Sequence, residues 1–221
     1  MDRILVVAAH PDDEVLGCGG LIATLAKKDR IVSVLIMTGP TTSRAPGLSL
    51  SSSPTELERA TQVLGVSDCS ILGWPDNRLD TVPLLDLVKQ VESKADEFKP
   101  DTVLVHDQTD LNIDHQIANR AALTAFRPQP ESSVRLILGY ETLSSTEWQD
   151  QDQGYFRPNY YLNIEKELKT KLSAFRHYKS EHRTYPHPRS PEGIEILAKK
   201  RGLECGVKVA EAFRVIRCIV R

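Results

Sequence analysis

Apolar and polar positions alternate in blocks along this chain. Ile4 to Ala9 is apolar at every position. A short run of this kind, bounded by polar residues, predicts a strand buried on both faces, as in a parallel sheet. Val15, Leu16, Leu21, Ile22 and Leu25 then recur at roughly helical spacing, which predicts a helix ending near Lys27 and Lys28. Ile31 to Met37 reads as a second buried strand. A helix follows, started by Ser53, Pro54 and Glu56, lined by Leu57, Ala60 and Leu64, and stopped by Gly65. Cys69 to Leu72 is a third strand, Pro83 to Phe98 a helix, and Thr102 to Val105 a fourth strand. A helix through Ile117, Ala121, Ala122 and Ala125 precedes a fifth strand, Arg135 to Tyr140. Tyr155 to Asn163 reads as extended. Asn163 is expected to cap a helix holding Ile164, Leu168, Leu172 and Phe175, and Ser190-Pro191-Glu192 starts the last helix. Phe213 to Val220 closes the chain as a strand. No repeat and no linker interrupts this alternation, so residues 1–221 are expected to form one α/β domain.

The most informative polar block is His10-Pro11-Asp12-Asp13-Glu14, at the turn between the first strand and the first helix. Ligands of open α/β sheets bind at the C-terminal ends of strands. His10 and Asp13 can meet at a divalent metal there, and an imidazole nitrogen with a carboxylate oxygen suits zinc. The alternative is that these acids only cap a helix, where the dipole and the unpaired N–H groups favour them. Three consecutive acids, a proline and a histidine at a buried strand end are harder to explain that way. A second cluster, His106 to His115, follows the fourth strand and reaches the same sheet edge. His115, in the first turn of the next helix, then completes a two-His, one-carboxylate set with a position open for water. His106 reads equally as a hydrogen-bonded strand-end residue. Asn112 or Asp110 can be the helix cap, and Asp114 can serve the dipole.

Other segments are expected to frame this edge. Thr38 to Ser53, rich in Ser, Thr, Gly and Pro, leaves the sheet beside His10 as a lid or as an insertion. Asp76 and Arg78, in a turn after the third strand, can hold sugar hydroxyls or an anion, or form a local ion pair. Glu141, after the fifth strand, either supports the site or is a paired surface acid. His177, His182 and His187 lack ligand spacing and read as surface or loop residues.

Composition narrows the function. A formal charge of -2 and a pI near 6.3 provide no broad basic field for nucleic acid. The four cysteines are scattered without a Cys-x-x-Cys pair, which argues against a disulfide framework and fits a reducing cytosol. No run of eighteen apolar residues is present, and the first strand begins at once, so neither a membrane span nor a signal peptide is expected. The turn after the first strand lacks Gly-x-Gly-x-x-Gly and carries acids that would repel phosphate, which argues against nucleotide binding.

Ala-His-Pro-Asp-Asp-Glu at 9–14, with Gly17 and Gly19-Gly20 behind it, resembles the LmbE-like (PIG-L) family of metal-dependent N-acetylglucosaminyl deacetylases. Asn112-Ile113-Asp114-His115 resembles that family's second motif, and Pro158-Asn159, Lys171 to Tyr178 and Ala210-Glu211-Ala212-Phe213 also fit. The resemblance implies a Rossmann-like three-layer α/β/α fold with a mostly parallel sheet. It implies zinc held by His10, Asp13 and His115, with Asp12 as general base. Better-studied members carry histidine at the position of Asn112, where it polarises the substrate carbonyl. An asparagine amide can donate to a developing oxyanion but cannot carry a proton. Asp114 is expected to orient a neighbouring group.

The expected reaction is zinc-dependent hydrolysis of the N-acetyl group of a GlcNAc-like sugar or conjugate, a small-molecule substrate. Homo-oligomerisation is allowed but not specified. The rival readings are an amidase of the same fold acting on a non-sugar amide, and a non-catalytic carbohydrate-binding protein with a relic metal site.

Overall fold

The computed structural model describes residues 1–39, 55–150, 152 and 154–220. Its organising strand is β1 (Arg3–Ala8), which pairs in parallel with β2 (Ile31–Thr38) on one side and β4 (Thr102–His106) on the other. Side chains alternate across a strand, and both faces of β1 are covered. Ile4, Val6 and Ala8 pack with Leu16 and Leu21 of α1 (Asp13–Ala26), Leu57 and Leu64 of α2 (Glu56–Leu64), and Leu172 and Phe175 of α5 (Leu168–Phe175). Leu5, Val7 and Ala9 pack on the opposite side with Leu87, Val88 and Val91 of α3 (Leu84–Phe98) and Ala118, Ala121 and Ala122 of α4 (Ile113–Ala125). The unbroken apolar run of β1 is the signature of this double burial. Each fully buried Ile or Leu contributes roughly 1.5–3 kcal/mol.

The remaining strands are β3 (Asp68–Trp74), β5 (Leu136–Tyr140), β6 (Tyr160–Asn163) and β7 (Ala210–Cys218), and the last helix is α6 (Pro191–Cys205). The seven strands lie in the order β3-β2-β1-β4-β5-β7-β6. The first five are parallel, whereas β7 runs antiparallel to both β5 and β6. The expected mostly parallel α/β architecture is therefore observed, with an antiparallel edge. Strand order reverses between β1 and β4, and a crevice for ligands opens at such a switch point. Both polar clusters of the sequence leave the sheet there. No described helix is long and apolar enough to cross a membrane.

Three helix starts differ from expectation, and the last strand, expected over Phe213 to Val220, is Ala210–Cys218. Thr55 caps α2 and forms a reciprocal capping box with Glu58. The sequence contains two overlapping Ser/Thr-x-x-Glu patterns, and the later one is used. The expected start at Ser53-Pro54, like most of the expected lid segment, lies outside the described residues. Asn163 ends β6 and does not cap a helix. Its Oδ1 accepts from Glu165 N at 2.9 Å, and Ile164 N still pairs with Val209 O at 3.3 Å. This sheet pairing holds the backbone extended and delays α5 to Leu168. Pro83 stands just before α3 as its N-cap.

Gly17 matters for the placement of α1. A Cβ there would lie 2.2 Å from the Tyr140 ring, whose hydroxyl donates to Val7 O at 3.0 Å. The absent side chain lets the helix that carries Asp13 and Glu14 sit directly against β5.

Candidate metal centre

His10 leaves the end of β1, and Asp13 opens α1 three residues later. Asp13 Oδ2 accepts the His10 backbone N–H at 2.8 Å and lies 3.2 Å from His10 Nδ1. His115, in the first turn of α4, brings Nε2 to 3.2 Å from His10 Nδ1 and 3.3 Å from Asp13 Oδ2. Asp13 Oδ1 is buried and has no hydrogen-bond partner among the described residues. A buried carboxylate oxygen without a partner is costly unless a ligand satisfies it. His10, Asp13 and His115 thus present a donor set that fits a divalent metal, and their two nitrogens and one oxygen suit zinc.

Two further groupings overlap this one through His10 and His115. Their other bonds show that they back the same centre. His10 Nε2 lies 3.1 Å from Asp114 Oδ2 and 3.4 Å from Asp76 Oδ1. A proton on Nε2, shared with these carboxylates, leaves the Nδ1 lone pair for a metal. Asp114 is held in turn, since its Oδ1 accepts from Leu79 N at 3.0 Å. His115 Nδ1 is 3.0 Å from Asp110 Oδ1, an ionic contact without hydrogen-bond alignment. Asp110 also accepts from the hydroxyls of Ser145 and Thr146. His106 Nε2 accepts the Ala9 N–H at 3.0 Å, so the ring proton sits on Nδ1, which faces Thr142 Oγ1 at 3.1 Å. With its Nε2 lone pair engaged, His106 stacks on His115 at 3.8 Å as a structural neighbour.

The electrostatics of the pocket favour a cation. Burial opposes charging of His10, yet hydrogen bonds to Asp114 and Asp13 raise it to about 10. Burial likewise opposes charge on His115, but the negative charges of Asp13 and Asp110 raise it to about 9. His106 goes the other way. Burial and the neighbouring His115 lower it to about 4, so it stays neutral. A metal entering this site would displace protons from His10 and His115 and take over their role as counter-charge.

Asp12 points elsewhere. It sits before α1 with φ of 111°, an uncommon conformation for a residue with a side chain. Its N–H donates to Glu14 Oε2 at 3.0 Å, and Glu14 Oε1 accepts from Tyr178 Oη at 2.5 Å. Burial pushes the Glu14 carboxyl up to about 7 against the pull of that hydroxyl. Burial also pushes Asp12 above the usual carboxylate range, opposed by Arg189, whose Nη1 donates to Asp12 Oδ2 at 2.9 Å.

The other expected site residues are distributed unevenly. Asp76 is buried beside His10. Arg78 is exposed in the same turn. Asn112 caps α4, its side chain accepting from Asp114 N at 2.8 Å. Glu141 is neither a surface acid nor turned to the metal centre. Both its oxygens are taken by Arg201, at 2.7 and 2.6 Å, and this occupancy leaves its expected support of the site without an observation behind it. Arg189 was not expected at all. It lies 177 positions from Asp12 in a segment that reads as surface, and no spacing signal links the two.

Comparison with known proteins agrees with this geometry. Over 184 residues the chain is 30% identical to an uncharacterized deacetylase, YaiS, of Escherichia coli, covering 80% of this chain and 90% of the relative. It is 27% identical to a diacetylchitobiose deacetylase of Thermococcus kodakarensis, over 97% of this chain and 83% of that one. The crystal structure of the conserved protein TT1542 from Thermus thermophilus superposes with a TM-score of 0.78 at 22% identity, covering 100% of this chain and 97% of the other. The model of the PIG-L family, described as GlcNAc-PI de-N-acetylase, matches residues 5–126, which include both polar clusters. On these matches the chain belongs to the PIG-L family.

Proposed function

We propose that this protein is a zinc-dependent deacetylase that hydrolyses the N-acetyl group of a GlcNAc-like sugar or GlcNAc conjugate, releasing acetate and the free amine. The observation that carries this reading is the convergence of His10 Nδ1, His115 Nε2 and the Asp13 carboxylate, whose Oδ1 has no partner among the described residues, with a further buried carboxylate, Asp12, next to Asp13 in the chain. Family membership supports the deacetylase chemistry, and the name of the Thermococcus relative supports an N-acetylated sugar. The four free cysteines fit a reducing compartment such as the cytoplasm.

When bound, zinc supplies Lewis-acid polarisation of the acetyl carbonyl and acidifies water to a pKa of about 7. His10, Asp13 and His115 are its proposed ligands. Asp114 keeps the His10 proton on Nε2. Asp12 takes a proton from the attacking water as the C–O bond forms, then delivers it to the amine nitrogen as the C–N bond breaks. Asn112 spends its side-chain oxygen on the helix cap, so its amide N–H remains to donate to the oxyanion. Arg78, with Asp76 behind it, contacts sugar hydroxyls.

A panel of N-acetylated sugars incubated with zinc-loaded protein, with free amine and acetate measured, tests the proposal. Acetate release is expected from at least one GlcNAc derivative; binding without turnover across the panel would sink the enzymatic reading. Asp12→Asn should keep zinc and lose roughly 10²–10⁴-fold in kcat, the usual worth of a positioned acid–base group. Asp13→Asn should lose zinc instead. The reverse pattern would exchange the two roles.

A further inference from the structure

The segment between α5 and α6 brings a cation into the centre. Arg189 Nη1 donates to Asp12 Oδ2 at 2.9 Å and to Glu181 Oε2 at 2.7 Å, while Nε donates to Ser144 Oγ at 2.6 Å. Its side chain is 16% exposed, against 2% for Asp12 and 8% for Glu181. Contacts to three parts of the chain fix the guanidinium plane. With its plane fixed, the guanidinium offers Asp12 Oδ2 one charged donor from a set direction, where a lysine ammonium would rotate.

Asp12 has reason to need such a hold. Its backbone is in a sparsely populated region, and it is followed directly by two more buried acids, Asp13 and Glu14. Like charges at this spacing push the carboxylate away from its neighbours. Arg189 binds Oδ2 and leaves Asp12 Oδ1 without a hydrogen-bond partner among the described residues. The two oxygens thereby acquire different tasks, one anchored and one available. The backbone bond from Asp12 N to Glu14, itself tied to Tyr178, fixes the other end of the residue.

We infer that Arg189 is a positioning residue for Asp12, anchoring Oδ2 so that Oδ1 faces the reacting water. This rests on the reading of Asp12 as the general base. The geometry distinguishes Arg189 from a mere tie between segments, because its guanidinium bonds the proposed base itself. A misplacement of about 1 Å at a reacting group can cost on the order of 10²-fold in rate. Arg189→Ala should therefore lower kcat about 10–100-fold with KM and zinc content unchanged. Arg189→Lys, which restores one donor, should recover part of the loss.

The decisive measurement is a double-mutant cycle with Asp12→Asn. With the base already removed, Arg189→Ala should lower kcat by less than about 2-fold further, because a positioning residue has nothing left to position. An undiminished second loss would overturn the inference and make Arg189 a direct partner of the oxyanion or of the fold. The same cycle is run on the Kd of acetohydroxamate for zinc-loaded protein, since a hydroxamate gives its proton to a neighbouring carboxylate on binding. Coupling of 10-fold or more is expected there, and additive effects would overturn the inference. This second readout needs no turnover. A wild-type protein that frees no acetate, yet shows the hydroxamate coupling, would defeat the substrate reading and leave Arg189 as the positioner. If Arg189→Ala does not fold, Arg189→Lys and Arg189→Gln carry both cycles.

Discussion

Two buried polar clusters of this protein look alike in composition and differ in completeness. One, behind α1, contains Lys171, Glu211, Arg201 and Glu141. Glu211 accepts from the backbone N–H groups of Gly20 and Leu21 at 2.7 Å each, and from Lys171 Nζ at 2.7 Å, while Lys171 also donates to Leu16 O at 2.8 Å. Arg201 and Glu141 are joined by two bonds. The other cluster, at the ends of β1 and β4, gathers His10, Asp13, Asp76, Asp110, Asp114 and His115, and among the described residues it leaves Asp13 Oδ1 and His115 Nδ1 without an aligned hydrogen-bond partner. A buried charge with a full set of partners holds the fold in register. One with an open valence is poised for a ligand. The first cluster pins α1 to β7 and α5, and α1 in turn carries Asp13 to the second cluster.

The sharpest way to break this contrast is Glu211→Ala. It strands a buried lysine and two backbone N–H groups, and should cost about 3–5 kcal/mol in urea unfolding. A loss below about 1 kcal/mol would show that the complete cluster is not what holds α1. Asp114→Asn probes the open cluster. Asparagine keeps the Leu79 N–H bond but withdraws the charge facing His10, so zinc affinity should fall about 10–100-fold while the unfolding midpoint hardly moves. Equal zinc affinity in a competitive chelator titration would remove Asp114 from the support of the metal. Arg78→Ala should raise KM about 10-fold, near the value of one hydrogen bond from a charged group, with zinc content unchanged. Unaltered kinetics would return Arg78 to a surface turn. The smallest effect calibrates the rest: Thr55→Ala removes an exposed capping box remote from both clusters, and should cost about 1 kcal/mol of stability without touching zinc or turnover.

The parts of the site that were legible in the sequence are those next to strands with strong patterns. The apolar run from Ile4 to Ala9 reads as a strand buried on both faces, and His10 and Asp13 follow its end. The run before His106 placed the second cluster at the same edge by the parallel topology. Asn112 was readable as a helix cap from its chemistry, and it is one. Helix starts were less legible where two capping patterns overlapped, as at Ser53 and Thr55. The same holds where sheet pairing outlasted a local capping signal, as at Asn163.

By itself, then, the sequence determined the period of each element, the order of strands and helices, and which polar residues stand at strand ends. These are consequences of side-chain geometry over a few residues, and a local pattern can encode them. Tertiary structure alone decided which distant side chains pair. Glu141 binds Arg201, 60 residues away, and Asp12 binds Arg189, 177 residues away. Nothing in the residues between specifies those contacts. They arise because the packing of α1 against β5, β7 and α5, and the return of the chain before α6, brings complementary charges together in places where water cannot separate them.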